Sequence, residues 1–364
     1  MKKIMLVHPV GSLEINPNLI GIVEALCARG YGVDYYCARS REFRQNYQHP
    51  SFRYIYLEGN QVHLADRCDL VIGVDRVGVA MAAKVSAALR VPYGLISYEL
   101  AFSSEVGSLG KRPEIEACRG ISFAVCQDRV RSQHLANENH IPLERIIDIP
   151  VAAAGTRPRV RSKALHKALG LSSDKKIMLY TGSLAQPWTM VDELVENTRS
   201  WGGNWVLVLH YSSMAQKFLE LKARHPGADR MLASPWTDLP FDGLMDIMGS
   251  ADLGVALYRP VFTDPEDGLN MEYLGLSSGK TITYLRHALP VVVNDHGIMG
   301  DYVENRGLGF RIRVLEDLPA ALGKLDDQTL EKWSVECHRF YSEVLDLDMR
   351  ISPLLDTIEG LIGK

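Results

Sequence analysis

The sequence predicts an α/β protein of two similar halves, each a parallel sheet covered by helices on both faces. Three observations carry this. Short, nearly continuous apolar runs rich in Val, Ile and Leu alternate with helical patterns along most of the chain. The alternation breaks at 150–162, PVAAAGTRPRVRS, and then restarts. A length of 364 residues is about two domains' worth of chain at ~150 residues each.

In the first half the expected strands are KIMLV, VDYYC, DLVIGV, YGLIS, ISFAVC and RIIDI. Between them, apolar periodicity predicts helices over Asn18 to Arg29, Val77 to Arg90 and Asp128 to Asn139. The second half repeats the pattern with KIMLYTG, WVLVLH, RMLAS, ADLGVALY, PVVV and GLGFRI. Helices are expected over Met190 to Arg199, Met214 to Arg224, Phe241 to Met248 and Ser278 to His287, and from Leu315 onward. Residues 1–155 are expected to form one Rossmann-like domain, 165–335 a second, and 336–364 a helical C-terminal tail.

Composition narrows the function. Hydrophobic residues make up 46% and charged residues 23%, so disorder and coiled coil are excluded. A net charge of -4 argues against a nucleic-acid binder. The charge is uneven, with 19 Lys and Arg against 16 Asp and Glu over residues 1–160 and 21 against 28 beyond. No apolar run approaches the ~20 residues that cross a bilayer. The apolar part of the opening MKKIMLVHPVGS, Ile4 to Val7, is shorter than a signal-peptide core and reads as a buried strand. Six cysteines without a C-x-x-C pair read as reduced thiols in a cytoplasmic protein, with no zinc site.

Ligands bind beyond the carboxyl ends of the strands in such sheets, so the default site is the cleft between the halves. The most informative segment there is GLSSGKTITYLRHALPVVVND, Gly275 to Asp295. Ser277, Ser278, Gly279, Lys280 and Thr281 open an amphipathic helix. Hydroxyls, free N–H groups, the helix dipole and a lysine together make an anion site. A plain serine N-cap with a solvated lysine is the alternative. Gly279-Lys280-Thr281 also matches the end of a P-loop, but the leading glycine would fall at Leu274 and no strand precedes it.

Lys280, Tyr284-Leu285 and Ala288-Leu289-Pro290-Val291-Val292 resemble the donor-site helix of GT-B glycosyltransferases, especially the GT4-like group. ASPWTDLPFDGLMDIMGSADLGVALYRP and TGSLAQPW fall in the same order as that group's base-binding and phosphate loops. The resemblance implies a GT-B fold, two Rossmann-like domains facing across a cleft. It implies a metal-independent hexosyl- or related transferase in which a nucleotide-sugar serves as co-substrate without a further cofactor. The acceptor would be a saccharide or lipid-linked saccharide, and the enzyme cytoplasmic with room for a peripheral membrane contact. Two departures stand out. The carboxylates of the group's E-x7-E motif would fall at Gly275 and Thr283, and Ser183 stands where an arginine is usual.

Carried onto this sequence, the resemblance places Ser183, Ser277, Ser278, Gly279, Lys280 and Thr281 at the donor phosphates. Trp236 and Thr237 fall at the nucleotide base, Asn270 and Glu272 at the donor sugar, and Gly11 and Ser12 on the acceptor side. Glu99 in ISYELAF is the candidate catalytic base, with Glu105 second, since an acceptor hydroxyl must lose a proton; a surface loop carboxylate, or a residue that only positions a sugar in a retaining enzyme, are the alternatives. His8 reads as a core histidine. His210 and Tyr211 lie near the nucleotide or in the core. The separations of Asp264, Glu266, Asp267 and Glu272 suit no standard metal cage. The D-x-D at Asp346 and Asp348 falls in the helical tail and is set aside. Arg39, Arg41, Arg44 and Arg53 around Phe43, Tyr47 and Phe52 form either an acceptor- or lipid-facing patch or a solvated loop. A GT-B-shaped sugar-nucleotide epimerase and a non-catalytic nucleotide-sugar binding protein remain as alternatives.

Overall fold

The computed structural model describes residues 1–39, 45–57, 67–157, 160–211, 215–236, 244–263 and 267–363. One sheet holds β1 (Lys3–His8), β2 (Gly32–Cys37), β3 (Phe52–Tyr56), β4 (Leu70–Val74), β5 (Tyr93–Ile96), β6 (Phe123–Cys126) and β7 (Ile146–Asp148). Their spatial order is β3-β2-β1-β4-β5-β6-β7. The other sheet holds β8 (Lys176–Thr181), β9 (Trp205–His210), β10 (Met231–Ala233), β11 (Leu253–Ala256), β12 (Val291–Val293) and β13 (Gly309–Arg311). It runs β10-β9-β8-β11-β12-β13. Every recorded pairing is parallel. Central strands such as β2, β4, β9 and β11 are buried at every residue, as near-continuous apolar runs between two helical layers require.

Strand order reverses between β1 and β4 in one sheet and between β8 and β11 in the other. Such a switch point opens a crevice beyond the carboxyl ends of the strands. The loops after β1, β4, β8 and β11 are therefore the ones that topology presents to a ligand.

Three features depart from the sequence reading. Phe52–Tyr56 is an edge strand rather than a loop. Its Arg53 forks onto Asp34 of β2, with Nε and one terminal nitrogen donating at 2.8 and 2.7 Å, and Arg39 lies 4.2 Å from the centre of the Tyr56 ring. Two of the four arginines expected in a patch are thus engaged with the sheet edge, while Arg41, Phe43 and Arg44 lie outside the described residues. FSSEVGS, where no helix is expected, begins the helix Ser103–Cys118, broken where Gly107 takes φ 73° and ψ 159°. Glu105 consequently sits in the first turn of that helix.

The third is the tail, which both halves share. Cys337, Phe340, Tyr341 and Leu345 pack into the second half's core beside Ile282, Leu285 and Val303. The chain then turns, and Leu347, Ile351, Leu354, Leu355 and Ile358 join Leu19, Ile22 and Val23 in the core of the first. Asp346 caps this crossing, its Oδ1 accepting from the N–H of Gly155 (2.9 Å) and Asp348 (3.1 Å), a structural use of the D-x-D. All six cysteines are free. Among the described residues no helix is long and apolar enough to cross a membrane.

Candidate active site

The turn at 275–281 is built by the strands beneath it. Tyr284, fully buried on the helix Gly279–Arg286, accepts the N–H of Thr181 (2.8 Å) and donates to the carbonyl of Leu179 (3.1 Å). This clips the helix to the end of β8. Gly254 on β11 leaves the space for the ring, since a Cβ there would lie 2.6 Å from Tyr284 Cδ2. Ser278 is the N-cap. Its Oγ accepts the N–H of Thr281 (3.3 Å) and shares hydrogen bonds with the hydroxyls of Thr281 (2.7 Å) and Tyr258 (2.9 Å). Ser278 and Thr281 are buried and hold the cap together. Gly279 is exposed, and among the described residues nothing lies within 4 Å of where a Cβ would sit. The first-turn N–H groups lack intrahelical partners, as at any helix start.

Lys280 reaches from this turn across β8. Its Nζ donates to the hydroxyl of Tyr180 (3.2 Å) and lies 4.3, 4.9 and 5.7 Å from the ring centres of Tyr180, Tyr258 and Trp188. The residue keeps partial solvent exposure along its length, while burial of the ammonium pulls it down to about 7. Among the described residues no carboxylate pairs with it. The face of Gly182 rests on the lysine stem, so the loop carrying Ser183 adjoins Lys280. His296 is fully buried edge-on to Tyr258, and among the described residues neither ring nitrogen has a hydrogen-bond partner. Burial, aided by Lys280, lowers it to about 4. His296, Tyr180, Trp188 and Tyr258 meet this turn only in three dimensions, and nothing in their local sequence singles them out for it.

The first half meets the turn directly. Ser277 Oγ donates to the carbonyl of Tyr98 (3.3 Å), next to Glu99. Glu99 itself is exposed, and Asp75 Oδ1 accepts the backbone N–H groups of Tyr98 (2.6 Å) and Glu99 (3.0 Å). Across the seam Asn270 Nδ2 donates to Glu99 Oε2. Asn270 is fully buried, with its Oδ1 accepting from the N–H of Leu100 (3.0 Å) and from Arg131 (3.0 Å). Glu105, the second candidate base, instead accepts the N–H of Leu269 (2.7 Å) with Oε1, and its buried Oε2 has no partner among the described residues. Burial, then Glu138 and Glu272, raise its carboxyl above the usual range. Glu272 is exposed at the end of the helix Leu269–Glu272. Asp267 accepts the N–H of Val261 at its carbonyl (2.6 Å), whereas Asp264 and Glu266 lie outside the described residues.

The departure at Gly275 has a structural cause. This glycine takes φ +50°, and a Cβ would lie 2.3 Å from Asp128 Oδ2. Asp128 caps its own helix with Oδ1, accepting from Val130 (2.9 Å) and Arg131 (3.0 Å), and accepts the N–H of Leu276 (2.9 Å) with Oδ2. A carboxylate from the first half thus occupies the place where a side chain at 275 would begin. Gly275→Glu is expected to destabilise the protein by about 1–3 kcal/mol, through left-handed strain and like-charge crowding, without raising any activity. A denaturant melt equal to that of the unaltered protein would show the turn to be more plastic than this packing implies. Thr283 is half-buried on the helix.

The remaining candidates lie at the expected strand ends. Gly11 abuts His8, a Cβ there falling 2.2 Å from Nε2. His8 Nδ1 bonds the Tyr35 hydroxyl (2.6 Å), and burial lowers it to about 4, as expected of a core histidine. Ser12 is buried and donates to Glu14 (2.6 Å). His210 is buried against Ser234 Oγ (3.2 Å), burial lowering its imidazole, and Tyr211 stacks on Phe218 in the core. Trp236 is half-buried against the second half's core, and Thr237 lies outside the described residues. Among the described residues no group of His, Cys, Asp or Glu could hold a metal.

Two facing doubly wound sheets and a C-terminal helical tail agree with comparison to known structures. The chain is similar to HepE from Anabaena, solved in complex with UDP-glucose, with a TM-score of 0.76 at 13% identity over 99% of this chain and 100% of that one. The chain has the GT-B glycosyltransferase fold. Sucrose-phosphate synthase from Thermosynechococcus elongatus matches with a TM-score of 0.71 at 14% identity, over 99% of each chain. WaaG, a glycosyltransferase involved in lipopolysaccharide biosynthesis, matches at 0.67 and 13%, over 99% of this chain and 100% of that one. Residues 250–346 match the family model of a glucosyltransferase 3-like C-terminal domain. That GT-B segment contains the Lys280 turn, Asn270 and His296. No curated protein matches the chain in sequence.

Proposed function

We propose that this GT-B protein transfers a hexosyl or related sugar from a nucleotide-sugar donor to a saccharide or lipid-linked saccharide acceptor, without a metal ion or further cofactor. The observation that carries the reading is Lys280: a buried ammonium, unpaired by carboxylate among the described residues, at a helix start in the seam between the halves. A leaving nucleotide develops negative charge, and a buried cation beside first-turn N–H groups stabilises it. The glucosyltransferase-type match over residues 250–346 and the nucleotide-sugar bound by HepE support the same donor class.

In this reading Ser183 and the turn Ser277–Thr281 surround the phosphates, with the Ser278 and Thr281 side chains shaping the turn. Trp236 and Thr237 flank the base, and Glu272 borders the donor sugar; Asn270 is fully buried with its amide on Arg131, Leu100 and Glu99, and stands behind the site instead of at the sugar. Glu99 takes the proton of the acceptor hydroxyl, and Gly11 and Ser12 border the acceptor. The same reading has the enzyme act in the cytoplasm, at the inner membrane face where the acceptor is lipid-linked. The domain limits at 155, 165 and 335 belong to the same proposal.

A panel of UDP-, GDP-, ADP-, CMP- and dTDP-sugars tests it. One donor is expected to raise the thermal midpoint and to release free nucleotide when acceptor is added. A changed sugar isomer in place of release would support an epimerase, and stabilisation without turnover a binding protein. Both outcomes would overturn the transferase reading.

A further inference from the structure

Arg131 is fully buried, and all five of its N–H groups are used. Nε donates to Gln127 Oε1 (2.9 Å). One terminal nitrogen donates to the carbonyls of Asn270 (3.4 Å) and Tyr273 (3.0 Å), and the other to the Tyr98 carbonyl (2.7 Å) and Asn270 Oδ1 (3.0 Å). None of these acceptors is a carboxylate. A buried guanidinium held by neutral oxygens costs desolvation that an apolar side chain of similar volume would avoid, so its presence asks for a use beyond stability. Four of its five bonds end on the two segments that hold Glu99: Tyr98 precedes it in the chain, and Asn270 donates to its Oε2.

The pattern also fixes which way the Asn270 amide faces. Two donors, Arg131 and the N–H of Leu100, converge on its Oδ1. A flipped amide would set its NH2 against both of them and its oxygen against the Glu99 carboxylate. With Arg131 in place, Nδ2 is aimed at Glu99, and the cation polarises the amide so that it donates more strongly.

We infer that Arg131 is a positioning residue, which acts through Asn270 to hold the Glu99 carboxylate in one orientation across the seam between the two halves. The inference rests on the transferase reading and on Glu99 as the group that takes the acceptor's proton. Loss of this arrangement leaves the nucleotide turn at Lys280 in place and releases Glu99, so catalysis and donor binding separate.

Two variants test it with whichever donor the panel identifies. Arg131→Lys keeps the charge and loses the planar fork. Asn270→Asp keeps acceptors for Arg131 and Leu100 but removes the donor to Glu99 and sets a like charge against it. Each is expected to lower kcat by about 10- to 100-fold, with the donor KM changed by less than about threefold. Asn270→Asp gains an ion pair with Arg131 and is the deciding variant if Arg131→Lys does not fold. Full kcat in folded Asn270→Asp would overturn the inference while leaving the transferase reading intact. A donor KM that rises in step with the fall in kcat would overturn it as well, by showing a general loss of site structure. No turnover by the unaltered protein with any donor would remove the transferase reading itself, and this inference with it.

Discussion

Lys280→Met is expected to weaken binding of the nucleotide donor by about 1.5–3 kcal/mol, roughly ten- to a hundredfold. The ammonium is enclosed by Tyr180, Tyr258 and Trp188, and burial leaves its ionisation near 7. A diphosphate supplies the missing opposite charge and raises that value in the complex. The sign follows from which form binds. Below about 7 the free protein already carries the ammonium, so affinity is flat with pH. Above it, binding must take up a proton, and affinity falls by up to about tenfold per pH unit until the pKa of the bound state is reached. Titration calorimetry near pH 8, in two buffers of different ionisation enthalpy, is expected to show proton uptake that disappears in Lys280→Met. A pH-independent affinity in the unaltered protein would remove Lys280 from the phosphate.

Glu99→Gln is expected to lower transfer by about 10²- to 10⁴-fold, the usual range for loss of a general base. The amide keeps an oxygen for Asn270 Nδ2 and leaves the backbone bond to Asp75 untouched, so the seam stays closed. Donor affinity is therefore expected to be unchanged. Initial-rate kinetics beside a donor-binding titration check both halves of the statement. A loss of only a few-fold would make Glu99 a contact that orients a sugar, and unimpaired transfer would free it of any role in the reaction.

Much of the fold could be read from local pattern. Runs such as WVLVLH and DLVIGV are buried end to end as strands, because a parallel sheet covered on both faces admits apolar residues at every position. The turn at Lys280 was visible for a similar reason, since serine, glycine and lysine before an amphipathic helix advertise a cap and an anion site within a few residues. Phe52–Tyr56 escaped because an edge strand tolerates Arg53, whose partner Asp34 sits on the neighbouring strand. The helix Ser103–Cys118 escaped because Gly107 and Pro113 weaken its pattern, and packing overrides propensity there.

The roles at the seam lay further out of reach. Asp128 and Arg131 read locally as a helix cap and an ordinary first-turn arginine. Their partners Leu276 and Asn270 lie 148 and 139 residues away. The glycine that stands where the GT4-like group carries a carboxylate gives room to Asp128. Periodicity and capping act over one or two turns of chain, so the amino-acid order was enough for the strands, the helix starts and the location of an anion-binding turn. Which buried polar groups meet across the two halves depends on where long-range packing brings them, and tertiary structure alone joins Arg131, Asn270 and Glu99 and closes the space beside Gly275.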